Sequence, residues 1–253
     1  MTMHDSRQHV LHLWGDFACF SRPEMKVERY SYPCPTPSAA RGVFEAVYFK
    51  PEFFWQVTRI ELLSPPSYIA LRRNEVKDKI SDRAVKRWMG GKAPVEPLWA
   101  DATAGEKGRT QRQTMALRNP KFRLSAQIVP RPGHDRKQRA FDEQFVRRAS
   151  RGKCFQQPYL GCREFVAFFR HVASLDAEPP PVAYNQSLGW MLYGVFDLRE
   201  DNHVRLHAKK AGWKTIKPAV SVFEAEIKDG VLEVPAFNSD DVRKPESNER
   251  GTE

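Results

Sequence analysis

"TPSAARGVFEAVYFKPEFFWQVTRIELL", residues 36–63, changes its apolar period once, and that change decides the fold class. In its first half Ala40, Val43, Phe44 and Val47 recur at helical spacing, with Thr36 placed to cap and Pro37 suited to the first helical position. Pro51 stops the pattern, which predicts a helix over 37–49. From Phe53 to Leu63 the period becomes two: Phe54, Gln56, Thr58 and Ile60 alternate with Trp55, Val57 and Arg59, a strand. Tyr48 lies just off the helical stripe, beside Arg41 and near Glu45, so its ring can pack while its hydroxyl faces outward.

Working outward, "HVLHLWGDFACF" reads as a strand over 9–20 before the helix. After 64–119, a long polar and basic insertion, "KFRLSAQIV" is a third strand over 121–129. A second helix follows over 138–151, with Phe141 and Phe145 four apart and Gly152 placed to end it; a fourth strand is expected over 163–172. This order, βαβ–insertion–βαβ, is the ferredoxin-like (RRM-like) α+β plan, a four-stranded antiparallel sheet with both helices on one face. That plan hosts many functions, RNA binding among them, and by itself fixes no activity. Beyond the Pro-rich linker "DAEPPPVAYNQS", residues 188–236 show only strand patterns ("LGWMLYGVFDL", "HVRLHAKK", "AVSVFEAEI", "VLEVP"), with a hairpin signal at Asp229-Gly230. The expectation is one domain over 1–175, a small C-terminal antiparallel β-sheet over 188–236, and a disordered polar tail over 238–253.

Charge narrows the partner class. The 253 residues carry 41 Lys/Arg against 31 Asp/Glu, a net charge of +10. From Arg72 to Arg123 there are fourteen basic and six acidic residues, so the excess concentrates in the insertion and favours a polyanion, nucleic acid first. No apolar run approaches the ~18 residues of a membrane span, and the N-terminal sequence lacks a signal-peptide layout, so a cytoplasmic protein without a membrane partner is expected. The four cysteines lack metal-ligand or redox spacing and read as reduced thiols. P-loop, zincin and nucleophile-elbow motifs are missing, as is an acidic cluster for two metals; no cofactor or metal is expected. RNA can be cut without a metal because its own 2′-OH attacks the adjacent phosphate. The protein then needs to orient the strand, move two protons and stabilise charge, jobs that suit Tyr, His and Lys.

Four stretches, "WGDFACFSRPEMKVERYSYPCPTPSAARGVFEAVYFKPEF", "LRRNEVKDKI", "GKCFQQPYLGCREF" and "LGWMLYG", resemble the type I-C CRISPR-associated repeat endoribonucleases, the Cas five-d family, in the same order. The resemblance implies metal-independent cleavage within the repeat hairpins of the CRISPR transcript. It also implies retention of the 5′ handle and membership of the Cascade surveillance complex, with its backbone and large subunits as partners. The family's tyrosine at the end of the first helix, in an "xYWKP"-type segment, corresponds to Tyr48 in "VYFKP". Its Lys-His or Lys-Tyr pair falls, without gaps, on Ala140 and Phe141. A three-residue shift lets Lys137 take the lysine's place, with His134 as an acid or base.

Residues expected to bind RNA are Arg22, Lys26 and Arg29, interleaved with Met25, Tyr30 and Tyr32, a mixture suited to phosphate contact and base stacking. Arg72, Arg73 and Lys77, with Lys92 and the stretch 107–112, would track a hairpin backbone, and Arg41 and Arg163 are further expected RNA contacts; Arg163 and Glu164 are expected on opposite faces of a strand, one toward RNA and the other in a buried pair. Two other readings stand beside nuclease: an RNA-binding scaffold of Cascade without cleavage, and a general nucleic-acid binder that also engages duplex DNA through the insertion.

Overall fold

The computed structural model describes residues 7–97, 100, 109–196, 198 and 219–245. β1 (Gln8–Trp14) opens the chain, and the expected strand to residue 20 breaks at Gly15. A Cβ there would lie 2.6 Å from the Val166 carbonyl oxygen, so a close backbone crossing turns the chain away. β2 (Phe17–Ala18) and β3 (Arg29–Tyr30) then enter a second sheet. α1 (Pro37–Val47) begins as its sequence requires: Thr36 Oγ1 accepts the Ala39 N–H at 3.2 Å and Pro37 occupies the first turn. Ala40, Val43, Phe44 and Val47 are its buried stripe.

β4 (Phe53–Leu62) carries Trp55, which is buried against Phe44 of α1 at 4.9 Å between ring centroids. Burying such a ring stabilises the fold by about 2–3 kcal/mol. The insertion is an ordered arm: β5 (Tyr68–Val76) pairs antiparallel with β6 (Arg109–Arg118), from Tyr68↔Leu117 to Val76↔Arg109, and α2 (Asp82–Met89) lies between them in sequence. Its β5 period is carried by charge as much as by apolar groups, since Ile69, Leu71, Arg73 and Glu75 are half-buried and Ala70, Arg72, Asn74 and Val76 exposed.

β7 (Lys121–Pro130) returns to the main sheet, and α3 (Gln138–Ala149) follows a 3-10 turn at Asp135–Lys137. Phe145 of α3 meets Trp55 at 4.7 Å and Phe44 at 5.8 Å, so α1 and α3 cover the same face of the sheet. The fourth strand is shorter than expected: β8 spans only Phe168–Val172, and Arg163 and Glu164 sit in an exposed turn, not on opposite strand faces. Cys19 N–H to Leu160 O at 3.0 Å and Ala167 N–H to Pro158 O at 3.0 Å hold that segment as a loop against β2.

β9 (Gln186–Gly194), β10 (Ser221–Lys228), β11 (Val231–Glu233) and β12 (Val242–Arg243) complete the described elements. The main sheet has eight strands, ordered β12-β10-β11-β4-β7-β1-β8 with β9 on β10, and every pairing in it is antiparallel. The C-terminal strands therefore continue the main sheet instead of making a small sheet of their own. β11 adds to the free edge of β4 through Leu232↔Ile60. The tail expected to be disordered from Asn238 is ordered to Pro245, because buried Phe237 and Val242 anchor it and β12 pairs with β10. Residues 246–253 and the expected strand over 203–210 lie outside the described residues. The Asp229-Gly230 hairpin forms, with both residues at positive φ (47° and 76°).

Candidate active site

The C-terminal end of α1 is tied down carbonyl by carbonyl. Tyr48 N–H donates to Phe44 O at 2.9 Å; Phe155 and Gln156 N–H both donate to Ala46 O, at 2.6 and 3.2 Å. Arg148 Nε donates to Val47 O at 2.8 Å, and Trp55 Nε1 to Tyr48 O at 2.9 Å. The oxygens a helix normally leaves without partners are thus used to fix Tyr48 in an extended conformation just past the helix (φ −150°, ψ 116°). The residue is 7% exposed and its ring leans on Phe53 at 5.3 Å, yet its hydroxyl donates to and accepts from no described residue. Burial, and secondarily the Glu52 carboxylate, pushes this phenol above its ordinary pKa, with Arg148 and Arg147 pulling weakly the other way. At neutral pH Tyr48 therefore keeps its proton and acts as a neutral hydrogen-bonding group.

That hydroxyl-bearing ring lines a cavity of about 650 Å³ shared with Lys50, Lys137, Ala140, Phe141, Gln144 and Arg148. On α3 these residues recur at three- and four-residue intervals, one stripe of the helix facing the end of α1. The stripe is held from below. Buried Asp142 binds His9 Nε2 at 2.6 Å and Gln138 Nε2 at 3.0 Å, fixing the first turn beside which exposed Lys137 stands. His134 does not line the cavity; it starts the 3-10 turn, its carbonyl accepting the Lys137 N–H at 2.9 Å.

The expected RNA contacts are spread wider. Arg22 stacks over Tyr32 at 4.5 Å, and Lys26, Arg72, Lys77 and Arg163 are exposed with no ion pair to a described residue. Arg41 turns onto Glu45 at 3.4 Å, its side chain only 13% exposed. Arg73 is bound to Glu164 and donates to Thr114 Oγ1 at 3.3 Å; Arg29 approaches Glu164 at 3.7 Å and Glu75 at 3.9 Å. These two arginines tie the arm to the 158–167 loop. Lys92 is exposed, Lys107 lies outside the described residues, and Arg112 pairs with Glu75 at 3.4 Å. All four cysteines are free; Cys34 is wholly buried, which pushes its thiol up to about 12.

The family model described as "CRISPR-associated protein (Cas_Cas5)" matches residues 10–235. The chain belongs to the Cas5d family. Two relatives named CRISPR pre-crRNA endoribonuclease Cas5d are each 38% identical to it. The one from Mannheimia succiniciproducens matches over 92% of this chain and 97% of its own, and the one from Thermus thermophilus over 88% and 90%. Two solved structures share the fold. One, "Crystal Structure of CRISPR-associated Protein", has TM-score 0.61 at 17% identity over 96% of this chain and all of its own. The other, a functionally uncharacterized protein from Streptococcus mutans, has TM-score 0.59 at 14% identity over the same shares.

In this Cas5d chain the gap-free positions of the resembled Lys-His pair, Ala140 and Phe141, do face the cavity of Tyr48, but neither side chain can transfer a proton. Lys137, one turn earlier at the N-cap of α3, lines the same cavity. Sequence reading passed over Arg148, Gln144 and Phe155, although extending the stripe of Lys137, Ala140 and Phe141 by one and two turns reaches Gln144 and Arg148. Among the described residues no helix is long and apolar enough to cross a membrane.

Proposed function

We propose that this Cas5d chain is an endoribonuclease that cuts repeat hairpins of the CRISPR precursor transcript at the cavity between α1 and α3. The observation that carries the reading is the Tyr48 hydroxyl, without a partner among the described residues and held just past a fixed helix end in one cavity with Lys137 and Arg148; the names of both 38%-identical relatives support it. The substrate's 2′-OH attacks the adjacent phosphorus while the bond to the 5′-oxygen breaks, giving a 2′,3′-cyclic phosphate and a 5′-OH. Neutral Tyr48 orients the 2′-OH or the phosphate by hydrogen bonding, the 2′-OH gives up its proton to solvent water as the new P–O bond forms, and the Lys137 ammonium protonates the departing oxygen. The Arg148 guanidinium, its Nε engaged by Val47, offers its remaining N–H groups to the charge that builds on phosphate. The route is metal-independent because the nucleophile is the RNA's own hydroxyl.

The product's 5′ handle stays bound, with half-buried Arg22 and exposed Lys26, Arg72, Lys77 and Arg163 as phosphate contacts, and the complex joins the backbone and large subunits of a cytoplasmic Cascade. Duplex DNA is a further candidate ligand for the basic arm. The β1-α1-β4-β7-α3-β8 core is read as a ferredoxin-like unit, supported by the strand order β4-β7-β1-β8. Within this reading residues 1–175 process RNA, and 188–236 form the β extension. The test is cleavage of the cognate repeat RNA in excess EDTA: a product ending in a 2′,3′-cyclic phosphate is expected, and a 3′-OH product or strict metal dependence sinks the mechanism. One observation favours a second reading, a scaffold that binds without cutting: Ala140 and Phe141 occupy the resembled pair's positions. Tight, salt-sensitive binding with no cleavage decides for it.

A further inference from the structure

A second cavity, of about 560 Å³, adjoins the one that holds Tyr48, and both are walled by Phe49 and Phe155. Phe155 is 78% exposed, so its ring buries almost nothing in this chain. Its backbone is nevertheless fixed, because its N–H and that of Gln156 share the Ala46 carbonyl, one residue from Val47 and two from Tyr48. Tyr159, 40% exposed, also lines the second cavity, with Gln156 and Ser38. An aromatic ring that lines two cavities, faces water and stands on a fixed backbone is available to a partner that covers it. The partner's chemistry follows from the surroundings. Lys50, Lys137 and Arg148 line the first cavity together with Phe155, a combination of cations and an exposed aromatic residue that suits single-stranded RNA, whose phosphates and unstacked bases need both.

We propose that the two cavities form one groove for single-stranded RNA, in which Phe155 is a platform for the base next to the scissile phosphate and Tyr159 for a base further along. This rests on the cleavage reading above and deepens it: the platform sets which nucleotide is presented to Tyr48. Phe155 acts by positioning, since it carries no group that can transfer a proton.

The experiment measures binding of a repeat RNA carrying a 2′-deoxy nucleotide at the cut position, so that no cleavage intervenes, with single abasic positions scanned along it. Phe155→Ala should bind the intact RNA roughly tenfold more weakly, Phe155→Trp should bind it as well as wild type, and both should melt as wild type does. One abasic position should weaken wild type while leaving Phe155→Ala unchanged; in cleavage of the normal RNA, KM should rise more than kcat falls. Equal binding by Phe155→Ala and wild type, or the same abasic penalties in both, overturns the proposal, as does competition by an apolar peptide in place of RNA. The two readings fail separately: Phe155-dependent, base-dependent binding without cleavage keeps the platform and loses the nuclease, whereas Tyr48-dependent cleavage indifferent to Phe155 does the reverse.

Discussion

Replacing Tyr48 by Phe removes one oxygen and tests the chemistry apart from the fold. The ring stays, and so do its contact with Phe53 at 5.3 Å and both backbone hydrogen bonds of residue 48, at 2.9 Å each. Because the hydroxyl has no partner among the described residues, its loss should change stability by less than about 0.5 kcal/mol. If that hydroxyl hydrogen-bonds the reacting group in the transition state, its loss should slow cleavage by roughly 10²–10⁴-fold, or about 3–5 kcal/mol of barrier. Tyr193→Phe is the matched control. Its hydroxyl accepts from Gln56 Nε2 at 2.8 Å and donates to Pro235 O at 3.0 Å, and none of these three residues lines the cavity of Tyr48. Removing it should cost about 1–2 kcal/mol, a fall in Tm of roughly 2–8 °C, and leave the rate near wild type. The assay is single-turnover cleavage of labelled repeat RNA beside thermal melts of all three proteins. A wild-type rate for Tyr48→Phe, with its melt unchanged, refutes the assignment of Tyr48; a collapse of its melt refutes the claim that the hydroxyl is unused by the fold.

Lys137→Ala should reduce single-turnover cleavage at least about tenfold while His134→Ala leaves it near wild type, since only Lys137 lines the cavity; the reverse pattern would move the proton donor to His134. Gly161→Ala should destabilise by at least about 2 kcal/mol in denaturant melts, because its Cβ would come 2.1 Å from the Cys19 carbonyl oxygen at a φ of +83°; an unchanged midpoint would show that the 158–167 loop yields cheaply. His12 and His171 are both held below the ordinary value of 6.5, first by burial, then by Arg170 for His12 and by His9 for His171. The unfolded chain therefore binds more protons than the folded one below pH 6.5, so their contribution is full above it and lost as pH falls through the lowered values. Tm should decline on acidification in that window, and His12→Gln should flatten part of the slope; a Tm that rises there contradicts the burial.

The segment 36–63 was legible because each signal in it is local: a capping threonine, prolines at 37 and 51 that bracket the helix, and one change of period. The arm was not, and its chemistry says why. Arg73 and Glu75 take the half-buried positions of β5 that an apolar pair would normally mark, and they are satisfied by Glu164, Arg29 and Arg112, whose nearness no one-dimensional pattern reveals. A strand whose inward row is neutralised by ion pairs from elsewhere reads as a solvated loop. The same blindness affected the end of the fourth strand, where apolar Phe165 and Val166 suggested pairing but backbone hydrogen bonds to Pro158 and Leu160 close a loop instead.

The site divides along the same line. Amphipathic spacing put Tyr48 at the edge of a helical stripe, but the helix ends at Val47, and the carbonyls of Phe44, Ala46, Val47 and Tyr48 hold the tyrosine in an extended conformation just past it. What the spacing could not supply was the opposing wall, since that depends on how α3 is turned about its axis. His9, 133 residues from Asp142 and buried with it beneath the helix, sets that turn. Once it is set, Lys137, Gln144 and Arg148 face Tyr48 together, and the empty chemistry of Ala140 and Phe141 becomes a question about one helical turn. Either the lysine's work has moved from the middle of the stripe to its N-terminal end, where a neighbouring basic residue stands at Arg136, or the groove has kept its grip on RNA and lost its proton donor. Lys137→Ala separates these. A large loss of rate with unchanged RNA affinity places the proton donor at the helix start, and equal loss of both leaves Lys137 as a phosphate contact.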